Sequence, residues 1–313
     1  MNLNIGIVGA GAISEIGYIP AIKQTRGILL RGLVDTNEKR LKYLRDKFNL
    51  QYYTVNLEKI IDKIDALIIA TPPHTHQAIA KKAFGAGLNV LCEKPMANNS
   101  KECQKIIDFS KKAKKILAIG HAYRLLPDRQ SLHSLLRNKI KTIKEINIEQ
   151  GAKASWPTKT GYSFRKGLVP GGVLFNEGLH SLDFIYWLLG YPKKIEYFDD
   201  SIGGLESNCQ IRLVYNNSIR SKLRFSRTCS LSNTIKVILK NNIIQTSTNY
   251  ADFSIVSLLQ SQLQNFKKAI EGKENQMVSG DEASNIIKII ESCYCIKKRR
   301  QLPKRAPIPG EVW

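Results

Sequence analysis

The sequence is short of acid: 26 Asp and Glu stand against 48 Lys and Arg, a formal net charge of +22 over 313 residues. Such a surplus raises nucleic acid as a partner, but the basic residues are scattered. Only Lys111-Lys112-Ala113-Lys114-Lys115 and Lys297-Lys298-Arg299-Arg300 cluster. Both fall at predicted helix C-termini, where cations suit the helix dipole. The expectation is no nucleic-acid partner, with an anionic substrate the better use of the charge. Cysteine lacks a framework: Cys92, Cys103, Cys209, Cys229, Cys293 and Cys295 show neither paired spacing nor a Cys-x-x-Cys metal pattern. They read as free thiols of a reducing compartment. No apolar run approaches the roughly 18–20 residues of a membrane span. No charged-then-apolar leader precedes the first strand-like run, and neither repeats nor low-complexity tracts occur. A soluble cytoplasmic protein with no membrane partner is expected.

A chain of this length suggests two domains, and a hydrophobic share of 43% supplies ample core. Leu3–Val8 is an apolar run of the kind a central parallel strand shows. It enters Gly9-Ala10-Gly11-Ala12-Ile13-Ser14 and then a helix predicted over Ile16–Thr25. Gly9 suits a tight turn, and Gly11 lets backbone amides approach a pyrophosphate at a helix N-terminus. Ser14 stands where that fingerprint prefers Gly or Ala. Leu29–Val34 is the next strand and ends at Asp35, where a carboxylate meets the ribose hydroxyls of NAD and repels a 2′-phosphate. Asp35 also suits the N-terminal end of the next helix, Asn37–Phe48. Lys39 and Arg40 follow closely, so the preference for NAD leaves NADP open.

Asp65–Ala70 is a third apolar strand, closed by Thr71-Pro72-Pro73-His74-Thr75-His76 before a helix predicted over Gln77–Gly85. His74 and His76 have no third ligand near them, and no metal is expected. Asn89-Val90-Leu91-Cys92 then stops abruptly at Glu93-Lys94-Pro95, delivering Lys94 to the carboxyl end of a strand, where open α/β sheets bind ligands. Helix Lys101–Lys114 and strand Ile116–Gly120 follow. Strands alternating with helices in this way make a doubly wound sheet. Beyond about residue 125 the pattern changes. Helix Asp128–Lys139 leads to strand-like runs at Lys144–Gln150, Lys193–Phe198, Asn208–Tyr215, Ile219–Ser226, Thr234–Lys240 and Ile243–Thr248, with a hairpin turn predicted at Asn216-Asn217. Helices are predicted at Gly178–Leu189, Ile255–Ile270 and Asp281–Cys295. This is an α+β domain with a mostly antiparallel open sheet. The expected division is 1–122, 123–300 and an irregular tail, 301–313, with three prolines.

Four stretches together resemble the glucose–fructose oxidoreductase / inositol dehydrogenase (Gfo/Idh/MocA) family. They are Gly9–Ser14, Ala70–His76, Cys92-Glu93-Lys94-Pro95 and Gly171-Gly172-Val173-Leu174-Phe175-Asn176-Glu177-Gly178-Leu179-His180-Ser181-Leu182-Asp183. The resemblance implies an N-terminal Rossmann domain, a nicotinamide cofactor, a sugar or polyol substrate, and homodimers or homotetramers formed through the C-terminal sheet. It implies Lys94 as the catalytic lysine, often before a cis proline. Cofactor contacts are expected from Gly9, Gly11, Ala12, Ile13, Asp35, Thr71, Pro72, His76, Glu93 and Lys94.

Oxidising a secondary alcohol needs a base for the hydroxyl proton and a partner for the developing alkoxide. His180 is the expected base, its imidazole titrating near neutrality, with Lys94 sharing the acid–base work. Asn176, His180 and Asp183 are spaced to share a helix face. Asn176 stands where many relatives carry Asp; it can bind a substrate hydroxyl but cannot charge-stabilise a protonated His180. Tyr123, Arg124 and Arg165 are expected to contact substrate in a cleft between the domains, with Trp156 and Tyr162 nearby. Net hydride transfer is the expected reaction. The alternatives are redox-assisted elimination or hydrolysis with tightly held NAD, and a non-catalytic NAD sensor.

Overall fold

The computed structural model describes residues 2–153, 159, 161–201, 204–247 and 253–296, and the backbone of 300–301. The chain forms two compact units: residues 1–127, 157–162 and 251–287 in the first, the remainder in the second. The chain thus crosses between units more often than a division at 122/123 describes. The reason is a helix: Leu258, Leu259, Leu263 and Phe266 of Ile255–Ile270 belong to the same core as Tyr18, Ile19 and Ile22.

The first unit is built on β1 (Leu3–Val8), β2 (Ile28–Val34), β3 (Tyr53–Thr54), β4 (Ala66–Ile69), β5 (Asn89–Cys92) and β6 (Leu117–Ile119). These pair in parallel in the order β6-β5-β4-β1-β2-β3, and the short strand Val278–Ser279 adds antiparallel to β6. Every residue of β4 and β5 is buried, as strands covered on both faces require. The order reverses between β1 and β4, and ligands of doubly wound sheets bind at such a switch point, beyond the strands' carboxyl ends. β3, two residues long, carries no apolar run and was not expected.

The helix after β1 opens at Ala12, earlier than predicted, with a π-helical turn at Ser14–Tyr18 before α1 (Ile19–Gln24). α2 (Glu38–Phe48) is capped by the Asn37 side chain, which accepts from Arg40 N, and ends in left-handed Asn49. α3 spans Pro73–Gly85, four residues earlier than predicted. Proline suits a first helical position because its missing N–H has no intrahelical partner there. α4 is Ser100–Ala113.

In the second unit, α5 (Pro127–Arg137) begins at the boundary and His133 stacks on Trp187 of α6 (Leu179–Leu189), ring centroids 3.5 Å apart. Its sheet joins β7 (Ile143–Gly151), β8 (Lys194–Asp199), β9 (Asn208–Val214), β10 (Arg220–Ser226), β11 (Thr234–Leu239) and β12 (Ile243–Ser247) in the order β12-β11-β7-β10-β9-β8. Only β7–β10 among these pairs is parallel. The β9–β10 hairpin turns where Asn216-Asn217 predicted it, but the left-handed residue is Ser218, φ 62°. Of the predicted irregular tail, 301–313, Gln301 instead pairs through its backbone with Asp199 of β8 in a short parallel strand, and 302–313 lie outside the described residues.

Candidate active site

At the switch point β1 ends in Gly9, with φ +112° and its N–H donating to Val34 O at 2.7 Å. A Cβ there would lie 2.4 Å from the Ala70 carbonyl oxygen at the end of β4, so glycine is required twice over. Above Gly11 a Cβ would meet nothing within 4 Å. That open space lies immediately before the first helical residue, where backbone N–H groups and the helix dipole favour an anion. Ser14, fully buried, fits its departure from the fingerprint by donating its hydroxyl to Gly9 O at 2.6 Å. Ala12 is buried, and partly buried Ile13 packs on the core. A dinucleotide pyrophosphate fits this turn.

Asp35 closes the turn. Its carboxylate accepts from Ala10 N at 2.6 Å and Asn37 N at 2.7 Å. A carboxylate offers about four lone-pair sites, so two remain for ribose hydroxyls. Arg40, the residue able to answer a 2′-phosphate, is committed elsewhere: it donates to Ala10 O and to Glu15 at 2.8 Å. Glu15 also accepts from Lys47 at 2.8 Å and Tyr43 at 3.0 Å. Burial alone would raise the Glu15 pKa, but the Lys47 and Arg40 hydrogen bonds outweigh it and hold it at about 2.

The next two loops are tied together by His76. The ring is fully buried, with Nε2 2.7 Å from Thr71 O and Nδ1 3.1 Å from Met96 O and 3.3 Å from Cys92 Sγ. A neutral imidazole has one N–H. Burial favours that neutral form, so Nε2–H donating to Thr71 O and the Cys92 thiol donating to Nδ1 satisfies the group. Burial likewise keeps Cys92 a thiol. His76 thus joins the Thr71-Pro72 turn to Cys92 at the end of β5 from within. His74, two positions away on α3, is exposed, so the two imidazoles serve different sides of the helix.

Lys94 follows β5 as a partly buried residue, and the Lys94–Pro95 bond is cis. Glu93 beside it accepts from Tyr18 OH at 2.5 Å on one oxygen and from Lys94 N at 3.0 Å on the other. Tyr18, wholly buried, comes from the π-helical turn and lies 3.2 Å from the Gln262 carboxamide. Gln262 Nε2 has no partner among the described residues. Since Tyr18 gives its proton to Glu93, an amide turned to present Nε2 to the phenol oxygen satisfies both groups. Burial raises the Glu93 pKa, while the Tyr18 hydrogen bond and Lys94 charge draw it back. Tyr162, also in this unit, is raised by burial and by the Glu93 charge. Tyr123 is half-buried against the first unit's core, and Arg124, 6% exposed, donates to Glu282 at 2.7 Å.

In the second unit Gly171 and Gly172 pass where no side chain fits: a Cβ on Gly171 would lie 1.8 Å from Tyr294 OH, and on Gly172 2.0 Å from Glu206 O. The Glu206 carboxylate accepts from Gly172 N at 2.7 Å, Leu174 N at 3.0 Å and Tyr294 OH at 2.8 Å. Burial raises its pKa against those hydrogen bonds. This acid anchors a second π-helical turn, Leu174–Gly178, which runs into α6. Asn176 and His180 are both partly exposed there, whereas Asp183 is 2% exposed. Glu177 pairs with Arg227 at 2.9 Å. Arg165 is exposed, and Trp156 lies outside the described residues.

Sequence reasoning missed Glu15, Tyr18, Gln262, Glu206 and Arg227. Each works through a distant partner, and a lone Glu or Tyr carries no local mark of that. The π-helical turns left no mark in the hydrophobic periodicity either, although such turns recur at functional sites.

Residues 3–121 match the family described as "Oxidoreductase family, NAD-binding Rossmann fold" (Gfo/Idh/MocA). The match covers the parallel sheet of the first unit, and over that segment the chain is similar to the Gfo/Idh/MocA oxidoreductases. It is 26% identical over 239 residues to Oxidoreductase P35 of Formosa agariphila, covering 74% of this chain and 72% of that protein. To the glucose-6-phosphate 3-dehydrogenase of Bacillus subtilis it is 28% identical over 187 residues, spanning 59% of this chain and about half, 53%, of that enzyme. Its fold is that of GenD2 from gentamicin A biosynthesis, solved in complex with NAD: TM-score 0.82 at 18% identity, covering 94% of this chain and 93% of that one.

Proposed function

We propose that the chain is a Gfo/Idh/MocA oxidoreductase that oxidises a secondary alcohol of a sugar, polyol or sugar derivative, or reduces the corresponding ketone, with NAD preferred over NADP. The observation that carries the reading is the open turn over Gly11, beside an Asp35 carboxylate with lone pairs to spare. Gly9, Gly11 and Ala12 would hold the pyrophosphate and Asp35 the adenosine ribose, while the carbonyl of Thr71, Pro72 and the Glu93-Lys94 strand end would border the nicotinamide half. Bound nicotinamide supplies the hydride acceptor or donor. Lys94 holds the reacting oxygen through its ammonium, and His180 takes or returns the hydroxyl proton. Asn176 binds a neighbouring hydroxyl, and Tyr123 and Arg165 are the other substrate contacts. The relative named a glucose-6-phosphate 3-dehydrogenase supports a sugar substrate. We also propose self-association through the second unit's sheet, whose outer positions carry Glu149, Arg212, Lys222 and Arg224.

The roles are tested with Lys94→Ala and His180→Ala. Each is expected to lower kcat by about 100-fold or more, the usual worth of positioned acid–base catalysis, with NAD affinity changed only for Lys94→Ala. A double variant that still reduces NAD at the native rate sinks the assignment. Cofactor choice is read from kcat/KM with NAD and NADP, and Asp35→Ser is expected to narrow the gap.

A further inference from the structure

The second unit holds a cavity of about 490 Å³ walled by Lys153, Phe164, Lys166, Glu206, Ser207 and Arg227. This lies within the roughly 300–1,000 Å³ typical of small-molecule sites. Arg227 is the first residue past β10. Its backbone N–H donates to Ser207 O at 2.9 Å, which fixes the residue at the cavity wall. Its side chain is only 10% exposed, lies 5.2 Å from the Phe164 ring centre, and spends Nε on Glu177. Nη2 is buried and has no partner among the described residues.

A guanidinium buried with an unmet donor pays the desolvation of that donor without return. The group that returns it best is an oxyanion, which accepts from the planar fork through more than one bond. Lys153 and Lys166 add two exposed ammonium groups to the same wall. The opposing acid, Glu206, is already spent on Gly172, Leu174 and Tyr294. Because Arg227 grips Glu177, the residue next to Asn176, the cavity adjoins the turn that carries the proposed substrate contacts.

We propose that this cavity is an anion subsite, and that the substrate is a sugar derivative bearing a phosphate or carboxylate group seated against Arg227. The substrate class rests on the dehydrogenase reading above; the subsite itself does not.

The test uses full-length protein saturated with NAD, so that the pyrophosphate site is filled. Inorganic phosphate, glucose 6-phosphate, glucuronate and glucose are titrated at constant ionic strength, with calorimetry as the readout. Saturable phosphate binding is expected. Glucose 6-phosphate or glucuronate should bind more tightly than glucose by about tenfold or more, the worth of one charge-assisted contact. The better of the two distinguishes a phosphorylated from a carboxylated substrate. Arg227→Gln should erase the preference and Arg227→Lys retain part of it, with NAD affinity unchanged as the check on folding. The exposed pair Lys153→Gln/Lys166→Gln should weaken phosphate binding without loss of fold. No saturable phosphate binding, or a preference untouched by all these variants, overturns the subsite. Arg227-dependent phosphate binding without NADH from any sugar counts against the dehydrogenase reading alone.

Discussion

Tyr18 carries more than its place in a helix suggests. Its hydroxyl is the only described side-chain donor to Glu93, and the same hydroxyl answers Gln262. Tyr18→Phe removes no volume but leaves a buried carboxylate oxygen unmet, at a cost of about 1–3 kcal/mol, measured by urea unfolding. It should also lower kcat, because Glu93 accepts from the backbone of Lys94. An unchanged kcat would mean that Glu93 does not set the lysine. Glu15 gives a second residue-scale outcome. Its folded pKa of about 2 lies below the ordinary 4.5, so its ionised form stabilises the fold above pH 4.5. That contribution is lost as pH falls toward 2. Glu15→Gln should therefore lower Tm at neutral pH, with the deficit shrinking on acidification through that window.

At the scale of elements, the glycine turn makes a divided forecast. Gly9→Ala forces a positive φ on a side chain 2.4 Å from Ala70 O, and should destabilise the protein severely. Gly11→Ala meets nothing; stability should stay within about 0.5 kcal/mol while NAD binding weakens, since the methyl fills the space left for phosphate. Calorimetric unfolding and NAD titration separate the two. These elements were legible because strands buried on both faces write continuous apolar runs, as β4 and β5 do, and because glycines punctuate the turn between strand and helix. The early start of α3 was not legible: Pro72-Pro73 reads as a stop, yet a proline at a helix's first position is harmless. Nor were the π-helical turns, each only five residues long and too short for hydrophobic periodicity to register.

At the scale of the whole chain, the fold class and the candidate motifs were legible, but the division into units was not. The helix Ile255–Ile270 follows the second sheet in sequence and still joins the first core, where a Cβ on Gly17 would lie 2.6 Å from Leu259. Long-range pairing of that kind leaves no periodic trace. Glu206, too, looks in sequence like a solvated acid and proves to be the anchor of the Asn176 turn. The central claim joins these levels: a nicotinamide cofactor in the glycine turn, and an alcohol oxidised by Lys94 and His180. It is tested most directly by following NADH absorbance when the full-length protein and excess NAD meet a panel of sugars, polyols and their phosphates and acids. The account predicts multiple-turnover NADH formation, one per molecule of ketone product, with at least one of them. Tight NAD binding with no NADH from any member of the panel would contradict it.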